Sequence, residues 1–443
     1  MEIRTIPAAL NRNFVEAEAL GEHIGRQVRI CGSVYKLRRM SGFAFVLLRT
    51  GRSMVQCVYC KEDCAFPLEA LAEESCVAVT ADVAAEPRSR AGYELKIREI
   101  EVLCTPAAPP PVVINQKRVD TSLDHLLDAR AATLRNERER AIFLVQAGLC
   151  EGLRAFLSRE RFTEVHTPKI VASGAEGGAN IFHLDYFGRA ACLAQSPQLY
   201  KQMLVGVFGR VYEIGPVFRA EKHDTSRHLN EYTSVDLEMG YIEGFEELMR
   251  LETAMLSGTL QSVAEACGPE ISLLGASIPQ IEGIPAVRFG EAKAWVARAL
   301  GRGVRDPMDL EPEEERTLCE LVQRETGSEF VFVTRYPSAK RPFYAMDDPE
   351  NPAETLSFDL LFRGMEITTG GQRIHDYAQQ VEKLERRGMD ASQFADYLAA
   401  HRCGLPPHGG LGLGLERLTA RLLGLENVRR AALFPRDAGR VTP

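Results

Sequence analysis

Five cationic side chains, Arg219, Lys222, His223, Arg227 and His228, fall within ten residues of the string FRAEKHDTSRHLNEYTSVDLEM, beside Glu221 and Glu231. Guanidinium groups match phosphate oxygens bidentately, so a loop of this kind held between two strands can clamp a polyphosphate. Tyr232, just beyond it, offers a ring on which a purine can stack. The competing reading is a charged surface hairpin. A second segment, residues 357–375, carries Asp359, Glu366, Thr369 and Arg373 around Gly370 and Gly371. Two carboxylates and a hydroxyl are hard oxygen donors, and Mg2+ commonly takes one or two carboxylates together with substrate phosphates. Polar residues at strand ends are the plain alternative. The third segment, GGLGLGLERL at 409–418, has glycines at 410, 412 and 414 that would admit another backbone or a nucleotide, with Arg417 at the following helix start. It is neither GxGxxG nor a Walker loop, because no βαβ unit surrounds it. A tightly packed structural strand would look the same.

Rigid elements must hold these groups. From 232 to 239 the chain alternates, with Thr233, Val235, Leu237 and Met239 on one face and Tyr232, Ser234, Asp236 and Glu238 on the other. That period predicts an antiparallel hairpin with one functional or wet face. Residues 27–104 read as about five short strands broken by Ser41-Gly42 and Thr50-Gly51-Arg52, which fits a small closed barrel of the OB type. The proline-rich stretch from Thr105 to Pro111 predicts a linker. Ile142, Val145, Leu149, Leu153 and Phe156 follow helical spacing and predict an amphipathic helix opening a second domain. Further helical stretches are expected at 245–263 and 377–401, whereas 260–330 carries no readable role.

The chain has 443 residues, enough for two or three domains, and 45% of them are hydrophobic. No run approaches 18 consecutive apolar residues and the first 20 lack an apolar stretch, so neither a membrane span nor a secretory signal is expected and the location should be cytoplasmic. Eleven scattered cysteines fit reduced thiols. Cys57, Cys60 and Cys64 read as small apolar strand-turn residues rather than a metal site, since no second CxxC pair accompanies them. The net charge of −8 argues at first against a nucleic-acid partner. Its distribution reverses that. Residues 1–110 hold fourteen basic and fourteen acidic side chains, and from His23 to Lys61 there is no acid at all, only Arg26, Arg29, Lys36, Arg38, Arg39, Arg49, Arg52 and Lys61. A local basic strip of this kind is a candidate polyanion footprint.

In this order, the three segments resemble the class II aminoacyl-tRNA synthetases, and within them the aspartyl-tRNA synthetases of the archaeal and eukaryotic type. The hairpin string is similar to motif 2, PPHGGLGLGLERL to motif 3, and RFTEVHTPKI (161–170) to motif 1, whose proline, here Pro168, lies at the family's dimer interface. SGAEGGANIF (173–182), QSPQLYKQ (195–202) and GGQRIHD (370–376) resemble its amino-acid-binding segments. The resemblance covers essentially the whole chain. It implies an α+β protein: an OB-fold anticodon-binding domain at 1–104 with a short N-terminal extension, a Pro-rich hinge at 105–135, and at 136–443 a catalytic domain with an antiparallel sheet flanked by helices.

The same resemblance implies the site. Arg219 would bind the ATP α-phosphate, Glu221 would read the adenine amino group, Tyr232 would stack under the ring and Arg417 would cover it. Arg227, His228 and Gly414 would complete ATP binding, and Asp359, Glu366 and Thr369 would hold Mg2+. Glu176, Gln198, Lys201 and Arg373 would bind L-aspartate, the two cations pairing with its side-chain carboxylate. Choosing O⁻ over NH2 at near-equal size suits a desolvated pair of cations, because an amide would leave both unpaired. Phe45 and Gln56 would stack on and bond to anticodon bases, and Ser33 stands where discriminating members usually carry Trp. The implied activity is aspartyl-adenylate formation and transfer to tRNA-Asp by a homodimer, with tRNA-Asn as a second candidate substrate. Thr369 replaces a usual Ser, and Arg335 a commonly acidic residue. The alternatives are an asparaginyl-tRNA synthetase, or a non-charging paralogue that binds nucleic acid or ligates amino acids without tRNA.

Overall fold

Aliphatic side chains at every second position curl residues 27–104 into a barrel. The computed structural model describes residues 13–89, 91–172, 180–222 and 225–443, and the chain forms two compact units, residues 1–120 and 121–443. In the first unit β1 (Gln27–Arg39), β2 (Phe43–Arg49), β3 (Met54–Cys60), β4 (Cys76–Ala85) and β5 (Tyr93–Cys104) close in the order β1-β2-β3-β5-β4. Val28, Ile30, Val46, Leu48, Val55, Val79 and Ile97 fill the interior. The intervening positions face outwards: Phe45 pairs across with Arg38, and Gln56 with Leu47. Cys57 is buried, and burial pushes its thiol up to about 12. Cys60, three residues on, lies on the opposite side of the same strand, so the two sulfurs diverge.

The basic strip needs a correction. Arg49 forms a two-bond pair with Glu74 at 2.7 and 2.9 Å, and Arg29 pairs with Glu101 at 2.5 Å. A window free of acid in the sequence is thus not free of acid in space.

The second unit begins with α1 (Leu123–Asp128), α2 (Arg130–Thr133) and α3 (Glu137–Arg159). Asn136 caps α3, its side chain accepting from the N–H groups of Arg138 and Glu139. By length and composition α3 is apolar enough to cross a membrane. Yet Glu151 and Arg154 interrupt it, and Ile142, Val145, Leu149 and Leu153 are buried in the main core. Strand β6 (Thr163–Glu164) follows, then a small sheet in the order β7-β9-β8 built from β7 (Ile170–Val171), β8 (His183–Tyr186) and β9 (Arg189–Leu193). Helix α4 (Gln198–Phe208) leads into the hairpin of β10 (Arg210–Phe218) and β11 (Glu231–Gly240).

After α5 (Glu246–Ala266) and α6 (Gly268–Leu274) come β12 (Ala286–Arg288), α7 (Phe289–Leu300), α8 (Pro312–Thr326) and β13 (Phe330–Thr334). The chain ends with β14 (Ser357–Phe362), β15 (Met365–Gln372), α9 (Tyr377–Arg386), α10 (Ala395–Arg402), β16 (His408–Gly414) and α11 (Leu415–Leu422). The stretch expected as one helix at 377–401 is broken in two around Gly388, whose φ is +67°. Of the illegible region 260–330, Leu260, Val263 and Ile271 pack into the main core, whereas Phe289, Val296, Leu318 and Val322 form a separate core with Val333 of β13, against which the half-buried Trp295 packs.

The large sheet runs β12-β13-β14-β15-β16-β11-β10-β6. Its six central strands are antiparallel, as expected, but both edges are parallel, β6 against β10 and β12 against β13. In each case helices intervene between the paired strands, the long crossover that parallel pairing requires. The face of β11 read as functional or wet is the functional one: Ser234, Asp236 and Glu238 are buried, and Tyr232, Ser234 and Asp236 line the cleft described below.

Behind the sheet, α5 buries Glu252 completely. Burial pushes its carboxyl up to about 8, slightly offset by the Thr368 hydroxyl and reinforced by the charge of Asp359. The folded state therefore holds this proton more tightly than the unfolded chain does. The stability that the protonated form contributes is complete below about pH 4.5 and is lost as the pH rises towards 8. Glu252→Gln, which cannot ionise, should gain on the wild type between pH 5 and 8 by on the order of 1 kcal/mol per pH unit. Parallel urea-midpoint curves for the two proteins over that range would refute this.

Candidate active site

Strand β10 delivers Arg219 to the edge of a cleft of about 640 Å3 on one face of the large sheet. The hairpin loop is pinned by Asn230, whose side-chain amide donates to the carbonyls of Arg219 (2.6 Å) and Glu221 (2.8 Å). The Arg219 guanidinium lies 5.7 Å from the Tyr232 ring centroid. Of the residues expected at the site, Gln198, Arg219, Glu221, Arg227, His228, Tyr232, Asp359, Glu366, Thr369, Arg373, Gly414 and Arg417 all line this one cleft. Ser33, Phe45 and Gln56 belong to the barrel. Glu176 and His223 lie outside the described residues.

Each cation is already engaged. Arg227 pairs with Glu315 of α8, whose carboxyl burial pushes up to about 7. The Glu366 backbone N–H donates to the same Glu315 at 3.3 Å. Arg417, in the first turn of α11, donates to the Glu366 carbonyl at 3.0 Å and sits 3.7 Å from its carboxylate. His228 meets Thr225 at 2.6 Å and Glu221 at 3.8 Å. Glu416 accepts the Thr233 N–H with both oxygens at 3.0 Å, tying α11 to β11.

Asp359 and Thr369 are direct partners across β14 and β15, and the Thr369 hydroxyl donates to Glu366 at 2.9 Å. Burial and the charge of Glu366 push the Asp359 carboxyl up. Against the upward push of burial, Arg417, the Thr369 hydroxyl and Arg341 hold Glu366 below the usual range. Asp359 Oδ1 is buried without a hydrogen-bond partner. Two carboxylates and a hydroxyl, one oxygen unsatisfied, fit a hard divalent cation. Among the described residues no three His, Cys, Asp or Glu side chains gather into a metal cluster, so a ligand would have to complete its shell.

Two expectations need revision. Lys201 and Arg373 are not a bare pair of cations. Lys201 Nζ lies 3.0 Å from Asp236, 3.4 Å from Glu238 and 2.8 Å from the Leu411 carbonyl, and it does not line the cleft. Arg373 Nε lies 2.9 Å from Glu238 and Nη2 2.9 Å from the Gly410 carbonyl. The second concerns the glycines. A Cβ at Gly410 would fall 2.1 Å from the Leu237 carbonyl and 2.2 Å from the Glu238 carboxylate. What approaches Gly410 is this protein's own ion network; Gly412 and Gly414 alone of the three face the cleft. Arg335 turns away to Asp348 and Phe245, outside the cleft.

Sequence reasoning missed Asp236 and Glu238, although the polar register of β11 carried the signal. It missed Arg341 and Tyr336 in TRYPSAKRPFY, and Glu315, for which no local signal exists.

Residues 122–438 match the pattern of the tRNA synthetases class II (D, K and N), and residues 28–103 that of an OB-fold nucleic acid binding domain. The chain is 47% identical over 425 residues to the aspartate--tRNA(Asp/Asn) ligase of Thermus thermophilus, covering 96% of this chain and 98% of that one. It is 37% identical over 440 residues to the aspartate--tRNA(Asp) ligase of Pyrococcus abyssi, covering 98% and 100%. Among solved structures it superposes on the asparaginyl-tRNA synthetase of Pyrococcus horikoshii complexed with asparaginyl-adenylate with a TM-score of 0.89 at 32% identity, covering 97% and 99%.

Removing one partner from a buried charge network leaves the others uncompensated. Lys201→Met should destabilise the catalytic unit by about 3–5 kcal/mol, read as a drop in its urea midpoint. A loss below about 1 kcal/mol would show that the network is not desolvated as the structure has it.

Proposed function

The chain belongs to the class II tRNA synthetases of the D, K and N type, and we propose that it is an aspartate–tRNA ligase that charges both tRNA-Asp and tRNA-Asn. The observation that carries the reading is one cleft joining phosphate-binding arginines to an arginine held in a buried ion network.

Activation begins with attack of the aspartate α-carboxylate on the ATP α-phosphorus, displacing pyrophosphate. No general base is needed. The difficulty is bringing two anions together, so positioning and charge stabilisation carry the rate. Arg219 binds the α-phosphate, where charge builds in the transition state. Tyr232 supports the adenine ring and Arg417 covers it, Glu221 accepts from its amino group, and Arg227 and His228 hold the distal phosphates. Asp359, Glu366 and Thr369 would hold Mg2+, which when bound neutralises phosphate charge. Arg373 faces the substrate side chain, kept in place by Glu238, while Asp236 neutralises Lys201 behind it. A neutral amide at that position would turn an NH2 towards the Arg373 guanidinium in place of a carboxylate oxygen, donor against donor, which disfavours asparagine as substrate. Gln198 contacts the amino acid from the cleft wall, and Glu176 is assigned to its ammonium by the family resemblance alone. In the second step the 3′-terminal ribose hydroxyl of tRNA attacks the adenylate carbonyl and releases AMP.

Three observations support the wider tRNA choice. Ser33 is a small side chain on β1 beside Cys76, 3.7 Å away; Phe45 and Gln56 share the outer barrel face; and the Thermus and Deinococcus relatives carry Asp/Asn names. A homodimer is supported by Pro168, Ile170, Val207 and Phe208, which are exposed around the segment that resembles motif 1.

Pyrophosphate exchange with aspartate but not asparagine, followed by charging of each tRNA, tests the whole proposal. Absence of exchange with aspartate ends it, and charging of tRNA-Asn at background ends the wider choice alone. Arg219→Ala should lower the exchange kcat about 10²–10³-fold. Phe45→Ala should leave exchange unchanged and raise the KM for tRNA about tenfold, one lost base stack. An exchange defect in Phe45→Ala would overturn its assignment to the anticodon.

A further inference from the structure

Arg341 lies in the connection between β13 and β14, buried in the cleft wall. Its guanidinium stacks 4.0 Å from the Tyr336 ring centroid, and Nη2 sits 2.8 Å from Asp359 Oδ1. The contact is close but not aligned. Nε and Nη2 of Arg341, and Asp359 Oδ1 opposite them, are all buried without a hydrogen-bond partner. Each such unsatisfied group costs about 1–3 kcal/mol. Other buried cations are saturated: Lys201 reaches Asp236 and two carbonyls, and Arg130 reaches Glu139 and three carbonyls. Arg341 has the arrangement of a group awaiting an acceptor that is not part of the chain.

The position defines the acceptor. Arg341 faces the carboxylate assigned above to a divalent cation, and a cation there would take over the negative charge that Arg341 now balances. What accompanies a divalent cation in this cleft is a polyphosphate, whose paired anionic oxygens suit a guanidinium fork. Arg219 follows β10 and Arg417 lies on α11, so the three guanidiniums reach the cleft from three different elements.

We propose that Arg341 is a further catalytic residue, one that exchanges Asp359 for the β- and γ-phosphate oxygens of ATP and balances the charge of the departing pyrophosphate. The bond that forms joins the aspartate carboxylate to the α-phosphorus; the bond that breaks is that from the α-phosphorus to the bridging oxygen, which keeps the electron pair. Arg341 stabilises that developing charge and no proton moves. The stacked Tyr336 ring holds the guanidinium plane in position for the exchange. The proposal rests on the synthetase reading only in taking ATP as substrate.

The test compares two nucleotides by calorimetry on the full chain with Mg2+ and without amino acid: the α,β-methylene analogue of ATP, and AMP, which lacks the distal phosphates. Arg341→Ala should weaken the analogue about tenfold or more and leave AMP unchanged, with Arg341→Lys in between. In pyrophosphate exchange the KM for ATP should rise and kcat should fall, while the KM for aspartate stays put. Added guanidine should restore part of the kcat of Arg341→Ala, which a merely structural role would not allow. Equal loss for the analogue and AMP, or a shift in the KM for aspartate in place of ATP, would overturn the proposal. If Arg341→Ala does not fold, the Lys variant carries the same comparison. Wild-type protein that binds the analogue but exchanges no pyrophosphate with aspartate would sink the ligase reading and leave the Arg341 assignment standing.

Discussion

Four charges buried in one layer set the terms for this catalytic unit: Lys201 from α4, Asp236 and Glu238 from β11, and Arg373 just past β15. Their sum is zero, and they reach one another at 2.9–3.4 Å. Buried pairs are expensive to desolvate and return that cost only with good geometry and saturated partners. Saturation here comes from the backbone, through the carbonyls of Leu237, Leu411 and Gly410. That in turn demands glycine at 410, because any side chain would occupy the space of the Glu238 carboxylate. One helix and three adjacent strands are thereby locked in register, and Arg373 is presented to the cleft with its orientation decided before any ligand arrives. Such preorganisation lets a polar site distinguish substrates of nearly equal size.

The phosphate side of the cleft follows a different rule. There three guanidiniums have internal carboxylates, Arg227 with Glu315, Arg341 with Asp359 and Arg417 with Glu366. These pairs offset charge within the cleft wall, which avoids stacking like charges around it. An incoming polyanion competes with these carboxylates, and a divalent cation assists by engaging two of them. The arrangement favours a ligand that brings both at once. A phosphate alone would leave carboxylates unpaired, and a metal alone would leave arginines unpaired.

How much of this was legible in the sequence depended on distance along the chain. The hairpin was readable because alternation from Tyr232 to Met239 is a local consequence of strand geometry. Twelve of the expected cleft residues converge because their segments are each short and self-contained. The partners of those residues were not readable. Arg227 and Glu315 are 88 positions apart and Lys201 and Leu411 are 210 apart, so no window could have joined them. The glycines at 409–414 were seen but their neighbours were not, since a missing side chain signals close approach without saying by what. The parallel sheet edges escaped for a related reason: β6 and β12 are two and three residues long, too short to show a period.

The acid-free window from His23 to Lys61 shows the same limit from the side of charge. In the sequence it contains eight basic residues and no acid, yet folding brings Glu74 to Arg49 and Glu101 to Arg29. Arg38 and Arg39 lie exposed at the end of β1 beside Phe45. A net charge of −8 says little about whether such a face can hold RNA. At physiological ionic strength the Debye length is about 8 Å, so a phosphate responds to the few side chains around it and hardly at all to carboxylates elsewhere on the molecule. A half-buried aromatic ring next to two exposed arginines on a barrel wall is enough to combine stacking with local charge, whatever the sign of the whole. Partitioning charge along the chain points towards that face. Only the cross-strand pairing shows which of its cations are left to use.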